Sequence, residues 1–210
     1  MLSRKKLLEN CKVYLILDRE VKSYQKLFEI AEKSIAAGID IIQLRDKQGT
    51  AREVLDFSRK ILKLTRGKIP YIINDRVDLA IVSKASGVHI GQEDIPLKVA
   101  RRMIGLKAMI GVSCQTFEHA KAAEADGADY IGFGSVFKTL TKPDREPMNF
   151  DFLRRVIQNI KIPVFAIGGI TLKNAADLKE TGVERMAICR AILSAQDVAA
   201  TVRKFKTVLR

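Results

Sequence analysis

The chain has 210 residues, 47% of them hydrophobic, enough for a substantial core and incompatible with a disordered polymer. Its 37 Lys and Arg against 24 Asp and Glu leave a net charge of +13, which suits nucleic acid, an acidic membrane surface or anionic small molecules. The basic residues are spread through helical windows without interleaved Phe and Tyr, so they read as solvated faces with a general attraction for anions, not as a single-strand binding surface.

No apolar run approaches the roughly 20 residues of a membrane helix. The start, MLSRKKLLENCK, is basic and lacks an apolar h-region, so no signal peptide is expected. Cys11, Cys114 and Cys189 form an odd set with no close pair. They offer neither zinc spacing nor a disulfide framework, and a reducing, cytoplasmic setting is expected.

Taken in order, the hydrophobic pattern alternates between short β-like runs and amphipathic helical windows. Val13–Leu17 reads as the first strand, ending at Asp18, and Tyr24–Ala37 as a helix closed by Gly38. Ile41–Leu44 is followed by a helix over Ala51–Leu64, Tyr71–Ile73 by Val77–Ser83, and Val88–Ile90 by Leu97–Ile104. Met109–Val112 precedes a helix at Phe117–Ala125, and Tyr130–Phe133 precedes a long polar loop and a helix at Phe152–Ile160. Pro163–Ile167 with Leu172–Thr181, then Arg185–Ile188 with Asp197–Val208, complete the series.

Eight such units without a linker or composition break predict one α/β domain over residues 1–210, a (β/α)8 TIM barrel with a short basic extension before residue 13. An open doubly wound sheet is the alternative, but no GxGxxG follows Val13–Asp18. In barrels the chemistry sits on the loops after the strands, which directs attention to the strand ends.

Asp75 and Asp94 each stand just past a strand, in INDRVDLA and GVHIGQED. On one rim they would suit a hard cation such as Mg²⁺ shared with substrate phosphates; alternatively, both are helix N-caps. In QLRDK, alternation sends Gln43, Arg45 and Lys47 in one direction. If that direction is inward, two buried cations demand an anion; otherwise this is a solvated strand end with Arg45 paired to Asp46. The loop GFGSVFKTLTKPDRE carries Thr139, Thr141 and Lys142, fitting either closure over a phosphate-bearing ligand or an ordinary surface loop. Gly168-Gly169 and Cys189-Arg190 follow strands seven and eight, where barrels often bind phosphate, although a tight turn also needs glycine. His89 reads as a hydrogen-bonded core residue and His119 as exposed. Cys114 and Cys189 lack the histidine partner of a thiolate nucleophile.

In this order, QLRDK, INDRVDLA, GVHIGQED, IGVSC, DYIGFGSVFKTLTK and PVFAIGGI resemble the thiamine-phosphate synthase family from about Val13 to Ile192. The resemblance implies a (β/α)8 transferase of thiamine biosynthesis, joining hydroxymethylpyrimidine diphosphate to a thiazole phosphate with release of pyrophosphate. It implies Mg²⁺ on Asp75 and Asp94. Pyrimidine diphosphate would be bound by Gln43, Arg45, Lys47, Asn74, Ser113 and Lys142, and thiazole phosphate by Thr139, Thr141, Gly169, Cys189 and Arg190. Arg45, Lys142, Asp75 and Asp94 would be the catalytic groups of a dissociative reaction, in which the C–O bond breaks before the thiazole nitrogen attacks. Arg190 stands where the family usually has serine, and Arg145–Phe150 departs from the usual Pro- and Gly-containing loop ending. A related thiazole tautomerase would carry a catalytic histidine where this chain has Ser135. A nucleic-acid binder, the rival from another class, gives no reason for paired acids on a barrel rim. Neither a nucleic-acid nor a membrane partner is expected, and a homo-oligomer is left open.

Overall fold

The computed structural model describes residues 4–139 and 146–210. Strand alternation divides the apolar side chains into two cores. In β1 (Val13–Asp18), Val13, Leu15 and Leu17 join the layer between strands and helices, while Tyr14 and Ile16 join a separate interior cluster. The same period of two sends Ile41, Ile72, Tyr130 and Phe165 inward and Ile42, Ile73, Ile131 and Ala166 outward. Strands with apolar side chains on both faces need cover on both, which a closed barrel ringed by helices supplies.

The strands pair in parallel, in chain order, and close: β2 (Ile41–Arg45), β3 (Tyr71–Asn74), β4 (Gly87–Ile90), β5 (Met109–Cys114), β6 (Tyr130–Phe133), β7 (Val164–Ile167), then β8 (Met186–Ile188) back onto β1. This is the predicted (β/α)8 barrel, and the open sheet is set aside. Because all the strands are parallel, their C-terminal ends share one rim, where Asp18 lies opposite Arg45 and Asn74 opposite His89.

The helices start where the sequence supplies a cap. Ser23 caps α2 (Tyr24–Ala36), and Thr50 with Glu53 forms a reciprocal capping box on α3 (Ala51–Thr65). Helices α4 (Val77–Ser83), α5 (Leu97–Ile104) and α6 (Phe117–Ala125) follow the predicted bounds. Helix α7 (Phe150–Asn159) begins two residues before its expected start, because the Asn149 side chain accepts the Asp151 N–H. Helix α8 (Ala175–Glu180) is shorter than Leu172–Thr181, because Asn174 holds the preceding turn by accepting the Thr171 N–H at 2.8 Å.

Two helices were not expected. Helix α1 (Arg4–Glu9) places Leu8, 1% exposed, in the interior cluster with Ile41 and Met109, the first residues of their strands. It therefore closes the N-terminal end of the barrel. Helix α9 (Arg190–Leu193) is a single turn directly after β8, ahead of α10 (Val198–Val208).

Candidate active site

A cavity of about 450 Å³ opens on the C-terminal rim. Every candidate residue among those described borders it: Gln43, Arg45, Lys47, Asn74, Asp75, Asp94, Ser113, Thr139, Gly169, Cys189 and Arg190. Thr141 and Lys142 lie outside the described residues.

On the β1–β2 wall, the alternation that carries Tyr14 and Ile16 inward also carries Asp18, which is 1% exposed. Arg45 Nη1 donates to both Asp18 carboxylate oxygens, at 3.1 and 3.0 Å, and to Glu20 Oε2 at 2.7 Å. The expected alternative pairing of Arg45 with Asp46 is not seen. Asp46 instead accepts from the Tyr24 hydroxyl and from the Gln48 and Gly49 N–H groups, because alternation turns it to the opposite face. Sequence reasoning missed Asp18 and Glu20 as partners of Arg45, although the period-two register placed Asp18 on the inward side. A half-buried arginine held between two carboxylates is fixed in direction, and its planar fork suits bidentate anion binding.

On the next wall, Lys47 Nζ lies 2.5 Å from Asp75 Oδ2. Asp75 has a left-handed backbone, φ 60°, and its N–H donates to the His89 carbonyl at 2.8 Å. Asp94 Oδ2 accepts the Gly91 N–H at 2.6 Å. Helix α4 is capped at Arg76 and α5 at Pro96, so neither aspartate is an N-cap. Their carboxyls interact with one another instead. Burial raises the Asp75 pKa above the ordinary carboxylate range, and the Asp94 carboxyl beside it adds to the rise against the opposing pull of Lys47. Two oxygen-donor groups pressed together at a cavity mouth match the preference of a hard divalent cation. Among the described residues there is no group of three or more His, Cys, Asp or Glu side chains for a metal held by protein alone.

The cavity floor is polar. Gln43 Nε2 donates to the Tyr14 hydroxyl at 2.7 Å, and the Tyr14 and Tyr130 hydroxyls are 2.9 Å apart. Tyr130 is 3.3 Å from His89 Nδ1, and His89 Nε2 is 2.9 Å from Ser113 Oγ. His89 is thus a buried, hydrogen-bonded residue as expected, but its ring faces the cavity.

The third wall comes from the ends of β6, β7 and β8. Gly168 and Gly169 have φ values of 104° and 64°. A Cβ on Gly169 would stand 2.4 Å from the Lys138 carbonyl oxygen. Backbone therefore approaches backbone here as only glycine permits. Burial pushes the Cys189 thiol up to about 12, helped by Asp18, and burial pushes Cys114 to about 12 as well. Neither is a ready thiolate at neutral pH. Away from the cavity, His119 is half-buried, with Nδ1 shielded and without a hydrogen-bond partner, contrary to the expected exposure, because its helix face turns partly against the body.

With guanidinium and ammonium groups, paired carboxylates and a glycine turn around one cavity, the arrangement can bind a polyanion and stabilise charge on a departing one. The family profile described as thiamine monophosphate synthase matches residues 13–192. The chain is 39% identical over 190 residues to thiamine-phosphate synthase of Clostridium tetani, covering 90% of this chain and 91% of that one. It is 40% identical over 193 residues to the Clostridium acetobutylicum protein of the same name, covering 91% and 92%. Among solved structures, thiamine phosphate pyrophosphorylase from Pyrococcus furiosus superposes with a TM-score of 0.88 at 35% identity, covering 97% of each chain. A 3-hexulose-6-phosphate synthase, with a TM-score of 0.72 at 17% identity, shares the fold alone.

Proposed function

This chain belongs to the thiamine monophosphate synthase family of transferases, and we propose that its rim cavity joins hydroxymethylpyrimidine diphosphate to a thiazole phosphate, releasing pyrophosphate. The observation that carries this assignment of the cavity is the Asp75–Asp94 pair facing Lys47 on the same rim as the clamped Arg45.

Asp75 and Asp94 fit Mg²⁺ by donor type and by their mutual repulsion. Bound there with the diphosphate, the ion would neutralise charge on the leaving group. Arg45, held in direction by Asp18 and Glu20, would bind the diphosphate and stabilise the charge it gains as the C–O electron pair departs with it. Lys47 would shift from Asp75 to phosphate oxygen once a cation compensates the aspartates. Lys142 is assigned the same task from its place in the family motif. Gln43, Asn74 and Ser113 would position the pyrimidine. Thr139, Thr141, Gly169, Cys189 and Arg190 would hold the thiazole phosphate. The thiazole nitrogen lone pair then forms the C–N bond at the carbon the diphosphate has left. No general base or covalent nucleophile is required, in keeping with raised cysteine pKa values at about 12.

A tautomerase-type reading would place histidine where Ser135 stands; here Ser135 Oγ donates to the Phe137 carbonyl at 2.8 Å. A cytoplasmic location rests on three free thiols.

The test is a coupling assay with both substrates, with and without Mg²⁺, following thiamine phosphate by thiochrome fluorescence. Mg²⁺-dependent product is expected. No product with bound diphosphate would overturn the thiazole assignment, and no binding of either substrate would overturn the whole reading.

A further inference from the structure

The hydrogen bonds on the cavity floor form one continuous chain, Gln43–Tyr14–Tyr130–His89–Ser113, running from β2 to β5 through the barrel interior. A phenol has a single proton to give, which makes such a chain directional. Gln43 donates to Tyr14, so the Tyr14 proton goes to Tyr130. If Tyr130 donated to Tyr14 instead, the Tyr14 proton would be buried without an acceptor, and an unmade buried hydrogen bond is costly. The Tyr130 proton therefore goes to His89 Nδ1, which leaves the ring proton on Nε2, pointing at Ser113 Oγ. Ser113 accepts, and its own hydroxyl proton is left for a ligand. At the other end, Gln43 Oε1 bonds no described residue and serves as an acceptor.

We propose that His89 is a positioning residue that relays the direction set at Gln43 to Ser113, so that an acceptor at Gln43 and a donor at Ser113 are presented together, selecting a pyrimidine with an amino group over its oxo counterpart. The proposal rests on the pyrimidine assignment above and deepens it.

The interior is shaped around this ring. A Cβ on Gly111 would stand 2.5 Å from His89 Nδ1 and 2.1 Å from the Tyr130 ring, and one on Gly132 would stand 3.3 Å from His89 Cε1. Burial raises both tyrosine pKa values, most strongly that of Tyr130, so the phenols keep the protons the chain requires. The reversed chain would turn the Gln43 amide toward the ligand as a donor and make Ser113 the acceptor. That arrangement fits an oxopyrimidine edge, so the two directions make opposite predictions.

The experiment is titration calorimetry of the full chain, in Mg²⁺, with the diphosphates of 4-amino- and 4-oxo-5-hydroxymethyl-2-methylpyrimidine. The wild type is expected to favour the amino compound by about 30-fold or more, the size of one mismatched buried hydrogen bond with its partner left unpaired. His89→Leu should reduce that preference to about 3-fold or less. His89→Gln, whose amide can still donate to Ser113, should restore much of it. Tyr130→Phe, which cuts the chain but keeps the ring, supplies the same readout if the leucine variant fails to fold. A purely structural role would weaken both ligands together and leave the ratio unchanged, and that result overturns the proposal. Equal wild-type affinity for the two ligands overturns it while leaving the pyrimidine assignment standing. Binding of neither overturns that assignment and the proposal with it.

Discussion

At the residue scale, Asp75 carries an electrostatic conflict. Its carboxyl is partly desolvated and faces Asp94, and Lys47 compensates only in part. Because its pKa is raised by folding, the folded chain holds the Asp75 proton more tightly than the unfolded chain does. Its contribution therefore favours the fold at low pH and is lost as pH climbs from the ordinary carboxylate range through the raised value. Asp75→Asn should lower turnover by about 100-fold or more, the scale of losing one electrostatic group at developing charge. In the absence of metal and substrate, the same variant should lose less stability than wild type between acid and neutral pH. Thermal unfolding across pH checks this; an unchanged pH profile would remove the Asp75–Asp94 repulsion from the account. Arg190 poses a different question, because it begins α9 on the cavity that Gly168 and Gly169 also line, at a position where the family resemblance leads one to expect serine. Arg190→Ser should change KM for the thiazole phosphate by more than it changes KM for the diphosphate. Steady-state kinetics with each substrate varied in turn checks this, and equal shifts would refute the placement.

At the scale of elements, a strand such as β2 serves two cores and ends on the cavity rim. In β2, Ile42 and Leu44 anchor the strand against the helices while Ile41, Gln43 and Arg45 pass from apolar plug to polar floor to charged rim along one inward face. The helices hold those ends in place, and α1 stoppers the opposite end. Leu8→Ala should destabilise the fold by about 2–5 kcal/mol, as large-to-small changes at buried apolar sites do, with kcat little altered at a temperature where the variant is folded. Denaturant unfolding and turnover, measured side by side, separate the two effects. A loss of turnover without a loss of stability would mean that α1 acts on the site as well as on the core.

For the whole molecule, the +13 charge acts over a longer range than any one contact. Such a field raises encounter rates with anionic ligands and is screened over about 8 Å at physiological ionic strength. The rate constant kcat/KM for the diphosphate should therefore fall as salt is raised from low to physiological ionic strength, with kcat nearly constant. Mixed-sequence DNA should show no salt-sensitive submicromolar binding under the same conditions; such binding would revive the nucleic-acid reading. No helix among the described residues is long and apolar enough to cross a membrane.

The barrel was legible from the sequence because its signal is local: the change between periods of two and 3.6, repeated along the chain, marks each unit. Alternation grouped Gln43, Arg45 and Lys47, and a place just past a strand end picked out Asp75 and Asp94, so these five could be gathered without coordinates. Helix α1 escaped notice because six residues carry too short a period, and its apolar side chains matter only against strands distant in sequence. Pairings across the barrel were also hidden. That Arg45 is clamped by Asp18 and Glu20, and that Asp75 faces Asp94, depends on which strands become neighbours and on how far each side chain reaches. The chain from Gln43 to Ser113 is the extreme case. Its members stand on β1, β2, β4, β5 and β6, and a hydrogen bond has meaning only within about 3 Å, a distance that closure of the barrel sets and no one-dimensional pattern encodes.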